Sequence, residues 1–312
     1  MEKRLINKIY HTDCRNFMSA MPAASIDCCF TSPPYYALRD YKLKPQLWDS
    51  GLWCGSLGME KDFNLYIKHL CDVFDCLKKP LKESGTLWVN IGDTYNNYTP
   101  GTRDSKRWPK QSRNDHRCDK PIIRYPRKSM FLIPERFVIE MVSRGWISRN
   151  KIIWHKPNVM PSSQKDRFTV DYEELFLFVK SRHYYFKQQY EPQKESSIIR
   201  SNYYFGGVPG SAYPDEKRIK PYPDKWKPNL KGRIKRCVWT ISARPFKGNH
   251  FAKFPEELVR IPILSGCPPR GLVYDPFCGT GTTCAVAKEL GRNYIGNDLK
   301  KEYVDMAKER MK

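Results

Sequence analysis

A short polar turn near the start of the chain carries residue types that suit the binding of an amino group. Thr31-Ser-Pro-Pro-Tyr35 follows an apolar stretch, and its two prolines must end a strand because neither has an N–H for the ladder. The Ser32 hydroxyl and the Pro33 carbonyl can both accept from an exocyclic NH2 group, and Pro33 and Pro34 add no backbone donor. Tyr35 offers a flat face on which a base can stack. An ordinary proline turn is the alternative for this motif taken alone.

A glycine loop near the end of the chain is typical of close approach between backbone and ligand. Asp275-Pro-Phe-Cys-Gly-Thr-Gly-Thr282 links a predicted strand to a predicted helix, and neither Gly279 nor Gly281 has a side chain that would block a ligand. Asp298 closes the next predicted strand, where a carboxylate can accept from ribose hydroxyls. Because Asp275 would repel a phosphate, the loop predicts a cofactor with an ammonium or sulfonium group. A plain tight turn is the alternative for Gly-x-Gly alone.

The elements that must position both groups alternate along the sequence. Strand-like apolar stretches are 25–31, 85–91, 147–154, 174–180, 271–275 and 293–297. Helix-like stretches are 63–79, 130–144, 282–290 and 301–311. This alternation predicts an α/β fold with a mainly parallel sheet, and ligands bind to such sheets outside the carboxyl ends of the strands.

Positive charge is concentrated in two stretches that interrupt this alternation. The chain has 312 residues and a formal net charge of +22. Residues 103–128 contain ten basic and three acidic residues. Residues 180–236 contain fourteen basic and five acidic residues, with ten aromatic residues between 184 and 226. Clustering on this scale favours a surface for a polyanion over merely solvated loops.

Cysteine content and hydropathy argue against several classes of protein. The eleven cysteines are odd in number and form no Cys-x-x-Cys pair. This argues against a disulfide framework and against a zinc ribbon, and we therefore expect no metal site. No apolar run approaches the ~18 residues of a membrane span. The first fifteen residues include charged side chains from the second residue on and contain no apolar segment, so they do not resemble a signal peptide. We expect a cytoplasmic protein with reduced thiols.

The motifs and their order resemble a known family. Thr31-Ser-Pro-Pro-Tyr35 ahead of Asp275-Pro-Phe-Cys-Gly-Thr-Gly-Thr282, with supporting stretches 85–93, 154–161 and 250–255, resembles the amino-methylating DNA methyltransferases of the permuted β group. The resemblance covers most of the chain apart from the two basic stretches. It implies S-adenosyl-L-methionine as cofactor and double-stranded DNA as partner. It also implies a Rossmann-like, seven-stranded, mainly parallel methyltransferase sheet with an inserted basic target-recognition region.

The resemblance further implies roles for individual residues. The catalytic motif would be Ser32, Pro33, Pro34 and Tyr35. The cofactor loop would consist of Asp275, Phe277, Gly279, Thr280, Gly281 and Thr282. Asp298 would bind the ribose, Asp13 would face the cofactor adenine, and His250 and Phe254 would close over the methionine end. The implied division is a catalytic half at 1–180 with a basic insertion at about 95–128, a target-recognition region at 181–236, and a cofactor-binding half at 237–312.

The chemistry implied is direct methyl transfer to a ring amine. Such an amine is a poor nucleophile because its lone pair is delocalised, and acceptors at Ser32 and Pro33 would free that lone pair. A base inside a duplex cannot reach such a pocket, so base flipping is implied. Within the family, serine in the place of Ser32 is typical of enzymes that methylate N4 of cytosine, whereas adenine-N6 enzymes usually have aspartate in that place. Adenine N6 is the alternative target.

Further alternatives and partners stay open at this stage. RNA methyltransferases, protein-glutamine methyltransferases and a non-catalytic DNA-binding protein are remoter alternatives. A cognate restriction endonuclease and a second copy of the chain are open partners. Location at the nucleoid is expected through DNA binding, and no contact with a membrane is expected.

Overall fold

The computed structural model describes residues 5–96, 125–196, 229–243 and 254–312. His250, most of the basic insertion at about 95–128 and the middle of the region 181–236 lie outside these residues. The chain divides into two compact units. Gln188–Arg236 forms the smaller unit, and the residues on either side of it in sequence form the larger one.

An eight-stranded, mainly parallel sheet forms the centre of the larger unit. In spatial order its strands are β1 (Lys8–His11), β12 (Asn293–Asp298), β11 (Leu272–Asp275), β2 (Ile26–Thr31), β5 (Leu81–Ile91), β7 (Tyr172–Val179), β6 (Ile147–His155) and β10 (Val238–Thr240). Strand β7 runs antiparallel to both of its neighbours. The seven strands implied by the resemblance are present, and β10 adds an eighth beside β6, in parallel.

Helices of the described residues cover both faces of this sheet. Helices α1 (Cys14–Ala20), α2 (Phe63–Leu77) and α3 (Ile133–Ser143) contribute to the core on one face. Helices α4 (Glu256–Gly266), α5 (Thr282–Glu289) and α6 (Lys301–Met311) contribute to the core on the other. Side chains alternate accordingly along β5, since Leu87 and Val89 pack in the first core and Trp88 in the second. With both faces covered, the edge formed by the strands' carboxyl ends is the place left for a ligand.

Several elements go beyond the sequence prediction. Strand β1 and helix α1 precede the first predicted strand, and a hairpin of β3 (Gln46–Trp48) and β4 (Trp53–Gly55) follows it. Helix α4 contains Pro262, which is a residue that sequence patterns treat as a helix breaker. Strand β5 begins four residues before the predicted 85–91 stretch, at Leu81.

The smaller unit contains a short antiparallel ladder of β8 (Tyr190–Glu191) and β9 (Arg233–Ile234). Glu191 Oε1 forms an ion pair with Arg233, 2.8 Å from its Nε, and accepts a hydrogen bond from Arg236 Nε at 2.9 Å. Gly232 enters the ladder at φ +96°, and a Cβ there would lie 2.4 Å from the Glu191 carbonyl oxygen. Glycine is therefore required at this position.

In the described part of the chain, no helix has both the length and the apolar content that a bilayer span requires.

Candidate active site

The two groups of residues singled out in the sequence meet at the carboxyl edge of the sheet. Strands β2 and β11 are neighbours, so Thr31 and Asp275 end adjacent parallel strands. Thr31 Oγ1 donates a 2.6 Å hydrogen bond to Asp275 Oδ1, and Thr283 Oγ1 donates a 2.6 Å bond to Oδ2. The Phe277 N–H also donates to this carboxylate, at 3.1 Å. One carboxylate thus ties the catalytic turn, the glycine loop and helix α5 together.

Burial controls the protonation of Asp275. Its side chain is 0% exposed, and the loss of solvation raises its pKa from 3.8 to about 6. The three hydrogen bonds from Thr283, Thr31 and Phe277 act in the opposite direction, because they favour the carboxylate. Asp275 therefore supports the loop from beneath with a carboxyl group that titrates well above the ordinary range.

The glycine loop turns at the strand ends through two glycines with positive φ. Gly279 has φ +49° and Gly281 has φ +78°, the left-handed region that favours glycine. A Cβ on Gly279 would meet no described atom within 4 Å, so it would project into open space. Asp298 fixes the loop because its Oδ2 accepts from Gly279 N at 2.9 Å and its Oδ1 accepts from Lys300 N at 2.8 Å. Burial raises the pKa of Asp298.

A cavity of about 380 Å³ lies along this edge and borders both motifs. Its volume is in the range of small-molecule and cofactor sites. The predicted site residues that line it are Asp13, Ser32, Pro33, Pro34, Tyr35, Phe254, Phe277, Gly279, Thr280, Thr282 and Asp298. Asp275 and Gly281 are absent from this lining and lie behind it. His250 lies outside the described residues.

Asp13 has a partner that the sequence prediction did not include. Its carboxylate caps helix α1 by accepting from Arg15 N at 2.8 Å, and it pairs with the Arg15 guanidinium at 2.7 Å. That guanidinium lies 3.8 Å above the ring of Trp48. Asp13 therefore lines the cavity with its charge already matched by Arg15.

Phe254 closes the cavity from the side of the second core. Its ring packs edge-on against Phe30 of β2, with 5.4 Å between ring centroids. Thr282 lines the cavity at the start of α5, where its Oγ1 accepts from Arg310 at 3.0 Å. These contacts fix the wall of the cavity around the glycine loop.

Tyr35 is the centre of a hydrogen-bond network at the catalytic turn. The phenol donates to Glu173 Oε2 at 2.7 Å, and Ser32 Oγ donates to the phenol oxygen over a longer 3.3 Å. Burial and the nearby Glu173 carboxylate raise the pKa of Tyr35, so the phenol keeps its proton. Lys156 pairs with the other oxygen of Glu173 and lies 4.3 Å above the Trp154 ring. The Ser32 hydroxyl proton is directed to Tyr35, which leaves the Ser32 lone pairs for a ligand.

Packing holds the catalytic turn in one position. The Tyr66 hydroxyl donates to the Pro34 carbonyl at 2.8 Å. Gly92 lies against the Tyr35 ring, and a Cβ at Gly92 would be 2.7 Å from Tyr35 Cε2. The ring therefore has a fixed face towards the cavity.

A second cavity of about 540 Å³ lies on the other side of this network. The residues that border both cavities are Tyr35, Leu38, Lys156 and Glu173. The second cavity is also lined by exposed Met160 and by Arg167. The Tyr35–Glu173–Lys156 group thus forms a partition between two openings.

Three site residues escaped the sequence prediction: Asn90, Lys156 and Glu173. Asn90 and Lys156 lie in the stretches 85–93 and 154–161, which the family resemblance marks without assigning roles. Glu173 reaches the site because β7 runs antiparallel, so its second residue lies at the carboxyl edge of its neighbours. The direction of a strand is not visible in its own sequence.

This fold and this order of motifs are those of a Rossmann-like methyltransferase in which the Thr31–Tyr35 turn precedes the glycine loop in the chain. The DNA methylase family model matches residues 26–309. The chain is 36% identical over 304 residues to the Type II methyltransferase M.SmaI of Serratia marcescens, covering 97% of this chain and 90% of that protein. It is 33% identical to M.Cfr9I of Citrobacter freundii, covering 97% and 87%. The chain belongs to the DNA methylase family.

Solved structures share the fold at lower identity. The PvuII DNA methyltransferase, named as cytosine-N4-specific, aligns with a TM-score of 0.60 and 20% identity over 97% of this chain and 85% of its own. TTHA0409 of Thermus thermophilus, crystallised in complex with S-adenosyl-L-methionine, aligns with a TM-score of 0.55 and 20% identity over 97% and 92%. These likenesses establish the Rossmann-like α/β fold.

Proposed function

We propose that this chain is a site-specific DNA methyltransferase that transfers a methyl group from S-adenosyl-L-methionine to N4 of a flipped cytosine. One observation carries the proposal. Ser32, whose hydroxyl proton is directed to Tyr35, borders the same cavity as Gly279 and Asp298 of the cofactor loop. An amine acceptor and a cofactor cradle therefore share one enclosed space.

The described residues fit the cofactor. Gly279 leaves room where any Cβ would intrude on the cavity, and Asp298 offers carboxylate oxygens beside it for ribose hydroxyls. Phe277 provides an apolar wall. When bound, S-adenosyl-L-methionine supplies an electrophilic methyl group on a positively charged sulfur.

The chain itself prepares and orients the amine. Ser32 Oγ and the Pro33 carbonyl accept from the amine hydrogens, which favours a pyramidal nitrogen and releases its lone pair from the ring. The Tyr35 face stacks against the flipped base. Glu173 holds the Tyr35 hydroxyl and thereby keeps the ring in place. Alignment of the two reactants inside one cavity is the main catalytic contribution.

Two findings support cytosine rather than adenine as the target. Serine occupies the first position of the acceptor turn, where the resemblance associates aspartate with adenine enzymes. The PvuII enzyme, which shares the fold, is named as cytosine-N4-specific.

The basic stretches are the proposed DNA-binding surface. We assign region 181–236 to target recognition. Region 1–180 is then the catalytic half, and region 237–312 is the cofactor-binding half. The compact unit at Gln188–Arg236, which begins seven residues after position 181, supports this division. The Type II names of the relatives support a role beside a restriction endonuclease acting on the same site.

Analysis of methylated nucleosides tests the proposal. DNA incubated with the enzyme and S-adenosyl-L-methionine is digested and examined by mass spectrometry, with the Ser32→Ala variant as control. We expect N4-methylcytosine with the unaltered enzyme and almost none with the variant. N6-methyladenine as the product would overturn the choice of base.

A further inference from the structure

Asn90 lies beside the Thr31–Tyr35 turn but is not part of it. In the pairing of β2 with β5, Thr31 lies opposite Val89, so Ser32 and Asn90 are the next residues along the two strands. Asn90 is 1% exposed and lines the 380 Å³ cavity together with Ser32, Pro33 and Tyr35. In sheet order β5 lies beyond β2 as seen from the cofactor strands β11 and β12. An occupant at Asn90 is therefore on the side of the turn away from the glycine loop.

The orientation of the Asn90 amide is fixed by its neighbours. Asn90 Nδ2 donates to Glu173 Oε2 at 3.0 Å and to the Glu174 carbonyl at 3.3 Å. Both partners are acceptors, so the nitrogen must face them and the oxygen must face the other way. Among the described residues, none donates to Asn90 Oδ1. A buried acceptor without a donor is costly, which indicates that a ligand supplies the donor.

Glu173 Oε2, the oxygen that accepts from Asn90, also accepts from a second donor. Glu173 Oε2 accepts from the Tyr35 hydroxyl at 2.7 Å as well as from Asn90, and Tyr35 in turn accepts from Ser32. Ser32 thus donates to Tyr35, Tyr35 donates to Glu173, and the Asn90 amide donates to Glu173 and to the Glu174 carbonyl. These side chains therefore present only hydrogen-bond acceptors to a molecule in the cavity. In a flipped base, the ring amine is the group that donates.

We propose that Asn90 Oδ1 is a third acceptor at the target amine, so that its two N–H groups are shared among Ser32 Oγ, the Pro33 carbonyl and Asn90 Oδ1. The inference rests on the proposed function and adds a specificity-determining residue to it. A base with a carbonyl at this position, such as thymine or uracil, would set its oxygen against these acceptors and be rejected. Held from both sides, the amine nitrogen is fixed with its lone pair free for the methyl group.

A binding cycle with a modified base tests the role of Asn90. The duplex carries the enzyme's mapped target site, with the target base opposite an abasic position so that base-pair strength does not enter. Affinity is measured in the presence of S-adenosylhomocysteine for cytosine and for pyrimidin-2-one, which has hydrogen in place of the amine. The proteins compared are the unaltered enzyme, Asn90→Leu, Asn90→Ala and the control Asn150→Leu on the exposed part of β6.

The expected result is a loss confined to the amine. Asn90→Leu and Asn90→Ala should lower the preference for cytosine over pyrimidin-2-one about tenfold, the effect of one hydrogen bond. Asn150→Leu should leave that preference unchanged. Equal weakening of both duplexes, or no weakening of either, overturns the proposal. Affinity for S-adenosylhomocysteine identifies variants that fold, and Asn90→Ala serves if the leucine variant does not.

Failure of the base assignment would be separate. If nucleoside analysis gives N6-methyladenine, the cytosine proposal fails. The same cycle with purine in place of adenine then decides whether Asn90 accepts from the amine.

Discussion

At the scale of single residues, the site is a hydrogen-bond network centred on the Glu173 carboxylate, and Asn90 also donates to the Glu174 carbonyl. Ser32 donates to Tyr35, and Tyr35 and Asn90 donate to Glu173. Lys156 balances the charge of Glu173 from its other oxygen. This arrangement leaves neutral acceptors towards the cavity, which suits an amine that must stay uncharged until it attacks.

Replacement of Ser32 separates catalysis from cofactor binding. We expect Ser32→Ala to lose most methyl transfer while its affinity for S-adenosyl-L-methionine stays within about twofold, because Ser32 faces the base side of the cavity. Turnover and equilibrium cofactor titration measure the two effects. Ser143→Ala, on the exposed end of α3, is the matched control. Substantial turnover by Ser32→Ala would mean that its hydroxyl is not an acceptor in the reaction.

Asp275 should make stability depend on pH in a predictable direction. Its folded pKa of about 6 lies above its unfolded value near 3.8, so its contribution is fully present below pH 3.8 and is lost as pH rises through 6. The loss is about 3 kcal/mol at roughly 1.4 kcal/mol per pKa unit. Denaturant unfolding from pH 4 to 7 should show this decline.

Asp275→Asn should flatten that decline. The asparagine is neutral at every pH, and the hydroxyls of Thr31 and Thr283 can donate to its oxygen or accept from its nitrogen. The same slope in both proteins would show that Asp275 does not titrate in this range.

At the scale of elements, the hairpin of β3 and β4 is anchored by a histidine on helix α2. The His69 ring contacts both Trp48 and Trp53 at small interplanar angles, with centroid distances of 4.7 and 5.0 Å. Its nitrogens lie 3.0 Å from Glu60 Oε1 and 3.0 Å from Asp49 Oδ2. Burial lowers the pKa of His69, but the hydrogen bonds to the two carboxylates outweigh burial and the net shift is upward. A protonated ring in contact with two indoles is also favoured by cation–π attraction.

The hairpin should therefore loosen as pH rises. A raised folded pKa means that the His69 contribution is complete below its unfolded pKa of about 6.5 and is lost as pH rises through the folded value. Protection factors for hydrogen exchange of residues 46–55 should fall over that range, and His69→Gln should remove this dependence on pH. Because Trp48 lines the cavity, cofactor affinity should fall in parallel. Protection factors that do not change with pH would exclude this anchor.

Elements explain what sequence analysis can and cannot provide here. Ser32 and Gly279 follow strands that are mostly apolar and buried throughout, so their location at a sheet edge was predictable from pattern alone. Glu173 was not predictable because its place depends on the antiparallel direction of β7. Arg15 and Trp48 reach the cavity through local contacts between α1 and the hairpin, which have no sequence signature. The motifs could be predicted from the sequence, whereas the residues that orient them could not.

At the scale of the whole molecule, the net charge of +22 is the feature that concerns DNA. Lys217, Arg218 and Lys220 lie outside the described residues, in the region 181–236. Neutralising all three should weaken binding to every sequence and flatten the salt dependence by a slope of roughly 1 for each phosphate that is no longer neutralised. A triple variant of Lys106, Arg107 and Lys110 in the other basic stretch is the comparison. If only that second variant shows a flatter salt dependence, the recognition region is misplaced.

The pairing of β1 with β12 has a consequence for how activity arises during synthesis. Lys8 lies opposite Ile295 and His11 opposite Asp298, so one of the first strands to leave the ribosome pairs with one of the last. The acceptor turn after β2 is complete early, but Asp298, which fixes the glycine loop, is added late. Domains generally fold as units once their strands are available. With the proposed function, a nascent chain carries the turn that would receive the methyl acceptor long before it can hold the donor, and translation itself delays modification until β12 has emerged.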